Sequence, residues 1–342
     1  MSKEFFKYEG GKLPLPVFFP DATRGVIKSI DTSDLESTNT PGILVNTYHL
    51  YKDLGKATIE KVGGIRKFMD FRGAVISDSG GFQINTLGSK VTDLLTPEKS
   101  IDFQVALGTD MIVVLDDFTP PDATHEQARK TVDNTIEWAK RSKAEFEKLT
   151  KGRKEKPYIL GVVQGGEFMD QREECTKRLV EIGFDGLGWG GWPFVNGKLN
   201  YKSAEVIADN APKDYFLYGL GVGKPEDVVT LARLGYTIFD CVLPTRDARH
   251  RRLYVYNFDS IDKINLKEKN FYSFVNPDRK SYLEDNSPVS TACDCLTCRR
   301  YSKAYLTHLF RIGDFTAGRL ATIHNLRFYS ILMEKIRETL DK

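Results

Sequence analysis

Seven short apolar runs recur along the chain: Gly42–Tyr48, Ala74–Ser77, Met111–Leu115, Tyr158–Val163, Phe184–Leu187, Tyr215–Leu220 and Thr237–Val242. Each is rich in β-branched or aromatic residues, as buried strands are. Amphipathic stretches separate them. The spacing predicts helices near Ile59–Met69, Pro97–Leu107, Thr124–Lys148, Gln171–Ile182 and Pro225–Leu234. Thr124–Lys148 is the clearest, because it follows Pro120-Pro121 and opens on Thr124-x-x-Gln127, a capping-box pattern. Strands alternating with helices imply a parallel sheet, either doubly wound or closed into a barrel. The polar residues favour the barrel. Asp78, Asp116-Asp117, Gln164-Gly165-Gly166, Gly190-Gly191, Gly221–Gly223 and Asp240 fall at or just past run ends. In a (β/α)8 TIM barrel those ends converge on one face.

The 342 residues suit one large domain with an appendage, or two ordinary domains. A hydrophobic content of 41% supports a substantial core, and a net charge of +2 gives no global polyanion-binding signal. Nucleic-acid contact would have to use a local basic patch. No apolar run is long enough to cross a bilayer, and Met1–Phe6 lacks the stretch of a signal peptide. A cytoplasmic protein is expected. Composition shifts near Arg246, which predicts a catalytic barrel over 1–245. A basic segment, a metal-binding subdomain and closing helices are expected over 246–342, the last barrel elements included.

Three of the five cysteines crowd into Cys293-x-Cys295-x2-Cys298, and a histidine follows at 324. A disulfide scaffold would spread its cysteines, whereas thiolates this close suit a tetrahedral Cys3His zinc site. On spacing alone His308 and His324 both qualify as the fourth ligand. Such a site has no open position, so the metal is expected to be structural.

Asp240 sits inside Phe239–Leu243, where a charge is expensive without a partner or a task. A carboxylate there can attack an anomeric carbon and hold a covalent glycosyl intermediate. Asp78, followed by Ser79-Gly80-Gly81-Phe82-Gln83, is the second acid of such a pair; an Asx turn or helix cap would explain it equally well. Phe82 can stack on a flat base. Of Asp116 and Asp117, adjacent on an extended chain, one can face a pocket. Gln164 offers both a donor and an acceptor. Gly219-x-Gly221-x-Gly223-Lys224 fails both nucleotide-loop spacings. Arg246, Arg249, His250, Arg251 and Arg252 form either a solvated face or a phosphate grip close to Asp240.

Taken together and in order, these residues resemble the tRNA-guanine transglycosylase (queuine tRNA-ribosyltransferase) family. The matching segments are Asn46–Leu50, Gly63–Met69, Asp78–Gln83, Val163–Gly166, Gly221–Asp227, Asp240–Arg246, the cysteine cluster and His324-Asn325, which span nearly the whole chain. The resemblance implies a TIM barrel with a zinc-bearing insertion. It also implies a pentosyltransferase that exchanges guanine, at anticodon position 34, for a 7-deazaguanine base (preQ1, preQ0 or queuine). Carried over by motif, Asp240 matches the nucleophile and Asp78 the general acid/base. Asp116, Gln164 and Gly191 match base-binding positions, and Phe82 and Leu220 the stacking walls. Arg246 and Arg249 match tRNA contacts, and Cys293, Cys295, Cys298 and His324 the zinc ligands. A homodimer is implied as well.

The chain departs from familiar bacterial members at two places. Asp116-Asp117-Phe118 stands where they have Asp-Glu-Cys. The loop Gly190-Gly191-Trp192-Pro193-Phe194-Val195 lacks their acid, which houses an aminomethyl group. Two other functions are carried alongside. One is a DNA-directed deazaguanine transglycosylase, which shares phosphate gripping. The other is a non-catalytic partner subunit, which would not need both Asp78 and Asp240.

Overall fold

A computed structural model describes residues 3–81, 95–195 and 197–340. The apolar runs form parallel strands, and an eighth, not foreseen, precedes them. The strands are β1 (Val17–Pro20), β2 (Gly42–Asn46), β3 (Ala74–Asp78), β4 (Met111–Val113), β5 (Tyr158–Val163), β6 (Gly186–Trp189), β7 (Phe216–Gly219) and β8 (Ile238–Cys241). The sheet order is β1-β8-β7-β6-β5-β4-β3-β2. Closure between β1 and β2 comes from the residues just beyond β1. Asp21 bridges Leu44, Ala22 N donates to Leu44 O at 2.7 Å, and Asn46 N donates to Thr23 O at 3.2 Å. The expected TIM-type barrel is what the chain forms.

Side chains alternate as a strand period of two requires. Val17, Phe19, Leu44, Ile76, Val113, Val162, Tyr218 and Ile238 fill the interior, while Phe18, Val45, Val75, Ile112, Leu187 and Phe239 pack outward against the helices. Glycine makes room for the largest rings. A Cβ on Gly42 would sit 2.5 Å from the Phe19 ring, and one on Gly186 would sit 2.7 Å from Phe216 Cβ. The floor is sealed by a hairpin, Phe5–Tyr8 against Gly11–Pro14. It drives Phe6 between Phe19, Tyr158 and Phe216, with ring centroids 5.9, 5.4 and 5.9 Å away.

Most expected helices appear. The helix His125–Leu149 carries the reciprocal Thr124/Gln127 capping box, and Pro97–Leu107 has its predicted bounds. The stretch Ile59–Met69 instead divides into Gly55–Val62 and Ile65–Met69, because Gly63 and Gly64 both adopt positive φ. After β8 the chain runs through the helix Leu243–Arg249 and the hairpin Leu253–Tyr256/Tyr272–Val275. It then passes the cysteine cluster and returns in the long helix Phe315–Leu340. That helix lies against β1, where the Tyr329 ring packs at a tilt against Phe18, centroids 4.6 Å apart. We propose dividing the chain at 245/246, with this last helix serving the barrel. Among the described residues no helix is long and apolar enough to cross a membrane.

Phe6 is fully buried at the floor. Phe6→Ala is expected to lower the unfolding free energy by about 3 kcal/mol or more, as a lost aromatic in a filled core does. Urea denaturation of the two proteins measures the difference.

Candidate functional site

Each barrel strand delivers one group to the C-terminal mouth, where a cavity of about 610 Å³ opens. Going round the ring, β8 supplies Asp240, the end of β1 Asp21, β2 Asn46, β3 Asp78, and the segment after β4 Asp116. The end of β5 supplies Gln164, β6 leads into Gly190-Gly191, and β7 leads into Leu220-Gly221. All but Gln164 line the cavity.

Asp240 is 7% exposed. Its Oδ1 accepts from Tyr218 OH and from Gly221 N, both at 2.8 Å. Among the described residues both bonds fall on that one oxygen, and Asp240 lines the cavity. Burial pushes its pKa up to about 6, against the pull of the two donors, with a further push from the charge of Asp21. Asp78 takes Asn46 Nδ2 on Oδ2 at 2.9 Å, and Thr47 N and Gly80 N on Oδ1 at 3.3 and 3.2 Å. Burial raises it to about 7, opposed by Asn46 and Thr47 and reinforced by the charges of Asp21 and Asp240. A carboxylate in this range can both give and take a proton near neutral pH.

Asp116 and Gln164 form a unit. Gln164 Nε2 donates to Asp116 Oδ2 at 2.5 Å, while its Oε1 accepts from Thr119 N at 3.0 Å, which fixes the amide orientation. Desolvation raises Asp116 to about 6. Asp117 turns the other way and accepts from Asn134 Nδ2 at 2.8 Å on the outer helix. The alternation expected for this pair therefore resolves in favour of Asp116. Gly191 adopts φ +80, and a Cβ there would lie 3.0 Å from Gln164 Oε1. Glycine at 191 thus keeps the backbone close to the Asp116–Gln164 pair.

The structure brings together Asp240, Asp78, Asp116, Gln164, Gly191 and Leu220. Phe82 and Gln83 lie outside the described residues. Arg246 and Arg249 follow on the helix Leu243–Arg249. Arg246 is exposed; Arg249 is partly buried, donates to Thr245 O at 2.8 Å, and has its pKa lowered by that burial. Arg251 and Arg252 are engaged elsewhere, with Asp278 at 2.8 Å and over the Phe274 ring at 3.7 Å. Trp192 is 48% exposed at the cavity rim, edge-on to Phe194 at 5.9 Å.

Several contributors escaped the sequence reading. Arg172 reads as one more charge on an amphipathic helix, yet it is buried beneath the mouth. Its guanidinium donates to Gly166 O, Val163 O and Gly190 O at 2.9, 2.7 and 2.8 Å, tying the ends of β5 and β6 together. Tyr218 was hidden in an apolar run. Asp21 follows the strand that was not foreseen.

The thiols of Cys293, Cys295 and Cys298 and a ring nitrogen of His324 lie within 4.8 Å of one another. His324 Nδ1 is 3.2 Å from Cys298 Sγ and 3.6 Å from Cys295 Sγ. Tetrahedral bonds of about 2.3 Å to sulfur and about 2.0 Å to nitrogen fit separations of that size. His324 Nε2 donates to Tyr254 O at 2.7 Å, which leaves Nδ1 as the ligand atom. The donor set therefore fits a metal ion. His308 is exposed on the helix Lys303–Ile312 and stands outside the cluster. Purified protein should carry about one metal ion per chain, and Cys295→Ser should bring it to near zero with a lower melting temperature. Elemental analysis and a thermal melt check this; full metal content in the variant would remove Cys295 from the ligand set.

The family model described as queuine tRNA-ribosyltransferase matches residues 5–342. Curated proteins named queuine tRNA-ribosyltransferase are similar across almost the whole chain. Those of Shewanella sp. strain W3-18-1 and Shewanella putrefaciens strain CN-32 are 38% identical over 351 positions, covering 98% of this chain and 89% of their own length. The one from Shewanella baltica strain OS155 is 38% identical over 352 positions with the same coverage. The chain therefore belongs to the queuine tRNA-ribosyltransferase family.

Proposed function

We propose that this pentosyltransferase exchanges guanine in tRNA, at anticodon position 34, for a 7-deazaguanine base through a covalent aspartyl–ribose intermediate. The observation that carries the reading is Asp240. It is buried, held by two donors on Oδ1, and lines the cavity that Asp78 also lines.

In this reading Oδ2 of Asp240 forms a bond to C1′ of the ribose as the C1′–N9 bond breaks. The departing guanine takes the proton held by Asp78. The incoming base gives its N9 proton back to Asp78, forms the new C1′–N9 bond and displaces Asp240. Two displacements at one carbon give retention, and proton and electron counts balance over the cycle. Asp240 must be ionised to attack and Asp78 must alternate between states. Their pKa values of about 6 and about 7 suit both tasks near neutral pH.

Asp116, with its carboxylate steered by Gln164, is assigned the N–H edge of the guanine-like base. Gly191 is assigned a backbone contact, and Leu220 and Phe82 the two faces. Arg246 and Arg249 are assigned to phosphates beside the target nucleotide. The Cys3His cluster is assigned a structural zinc, which pins the loop of Cys293–Cys298 to the closing helix. A homodimer and a cytoplasmic setting accompany the family reading.

The rim residues Trp192, Pro193 and Phe194 bring no carboxylate to the place where an amine-bearing 7-substituent would look for one. Competition among preQ1, preQ0 and queuine identifies the incoming base. A DNA substrate would use the same arginines. A non-catalytic subunit would have no use for both Asp78 and Asp240.

The test is incorporation of radiolabelled guanine into bulk tRNA. The wild-type protein should incorporate it and trap a denaturation-resistant RNA adduct. Asp240→Asn retains an acceptor for Tyr218 and Gly221, so it should fold, lose the adduct and slow exchange by at least about a thousandfold. An undiminished rate in that variant would remove Asp240 from the nucleophile role.

A further inference from the structure

The proposed mechanism uses two of the three carboxylates that share this part of the mouth and leaves Asp21 without a task. Asp21 continues the inward alternation of β1, after Val17 and Phe19, and lines the cavity. On one side β1 pairs with β8, setting Phe19 opposite Asp240. On the other, Asp21 itself bridges Leu44 of β2, two residues before Asn46, the Asp78 partner. Asp21 therefore stands on the arc between the proposed nucleophile and the proposed acid/base.

Its chemistry is unusual for a structural acid. Among the described residues it makes no ion pair. Its oxygens accept from Thr23 Oγ1 at 2.6 and 2.7 Å, which leaves most of the acceptor capacity of a carboxylate unused. Its charge opposes ionisation of both Asp78 and Asp240. A third acid at this place burdens the other two, so closure of the barrel alone does not account for it. The backbone bonds of Ala22 and Thr23 would close it with any side chain at 21.

The ligand that fits follows from the arrangement proposed above. With C1′ over Asp240 and the base directed across the mouth to Asp116, Gln164 and Gly191, the rest of the sugar falls on the opposite arc. That arc is β8, β1 and β2. Arg249, which also feels the charge of Asp21, is the group there for a phosphate, whereas Asp21 itself needs a donor, and a sugar hydroxyl is one. We propose that Asp21 is a specificity-determining residue that accepts a hydrogen bond from the 2′-hydroxyl of the target ribose, so that this barrel selects ribonucleotide over deoxyribonucleotide.

This inference rests on the transglycosylase reading, and one experiment separates the two. Guanine exchange is measured on an anticodon stem-loop carrying either guanosine or 2′-deoxyguanosine at position 34, with metal-loaded full-length protein. For the wild type, kcat/KM should be about tenfold or more lower on the deoxy substrate, the scale of a hydrogen bond to a charged group. Asp21→Ala removes a charge that both acids feel, so it should shift exchange on both substrates, and the ribo and deoxy values should converge until discrimination falls to about one. Asp21→Asn keeps an acceptor oxygen and should restore part of it. Retained discrimination in Asp21→Ala, or equal losses on both substrates, would overturn the role. Absence of exchange by the wild-type protein on either substrate would overturn the transglycosylase reading itself.

Discussion

A carboxylate withdrawn from water holds its proton more tightly unless fixed donors face its charge, and the mouth of this barrel sets donors against crowding residue by residue. Asp240 has two donors on one oxygen and settles at about 6; Asp78 has three donors but also feels Asp21 and Asp240, and settles at about 7. The two acids thus differ although both end apolar strands. Burial is the largest cause for both; the donors, Tyr218 and the Gly221 amide for one and Asn46 and Thr47 for the other, pull down, and Asp78 carries the added push of Asp240 beside that of Asp21, which both feel. Asp116 completes the set, with its own amide partner.

This balance needs a rigid rim, and the rim is held from outside the barrel. Asn325 of the last helix donates to Pro244 O and Arg252 O at 2.9 and 3.0 Å and accepts from Tyr254 N at 3.1 Å. Pro244 is only four residues past Asp240. The adjacent residue, His324, joins the cysteine cluster and gives its other nitrogen to Tyr254 O. Tyr329 donates to Gly223 O at 2.5 Å, beside the loop that supplies the Gly221 donor. The Cys3His cluster and the segments flanking Asp240 thus meet on successive turns of one helix. A structural ion in the cluster would therefore steady the proposed nucleophile from a distance. On the far side of the ring Arg172 does comparable work, joining β5 and β6 through three carbonyls.

Much of this was legible in the residues. The barrel followed from runs that end in polar groups, and the metal cluster from ligand spacing. Asp240 stood out because a charge interrupts an apolar run. The failures share a physical origin. β1 is four residues that follow Pro16 and end on Pro20, too short for periodicity to register, and Asp21 went unnoticed with it. Arg172 carries the same charge as its exposed helical neighbours, and only the packing shows that it points inward. Gly63 and Gly64 were read as helix interior, although paired positive φ angles end one helix before the next begins. The choice between Asp116 and Asp117 needed the three-dimensional path after β4, and the fourth metal ligand needed the fold of a helix far along the chain.

The central claim is that desolvation at the strand ends, rather than sequence identity alone, sets the two acids for their tasks. Carbon-13 NMR titration of aspartate-labelled protein measures it directly, with Asp240→Asn and Asp78→Asn assigning the two signals. Midpoints near 6 for Asp240 and near 7 for Asp78 are expected, each well above the ordinary 3.8. Midpoints for both near 3.8 would mean that water reaches these carboxylates freely, and the account of the mouth would fail.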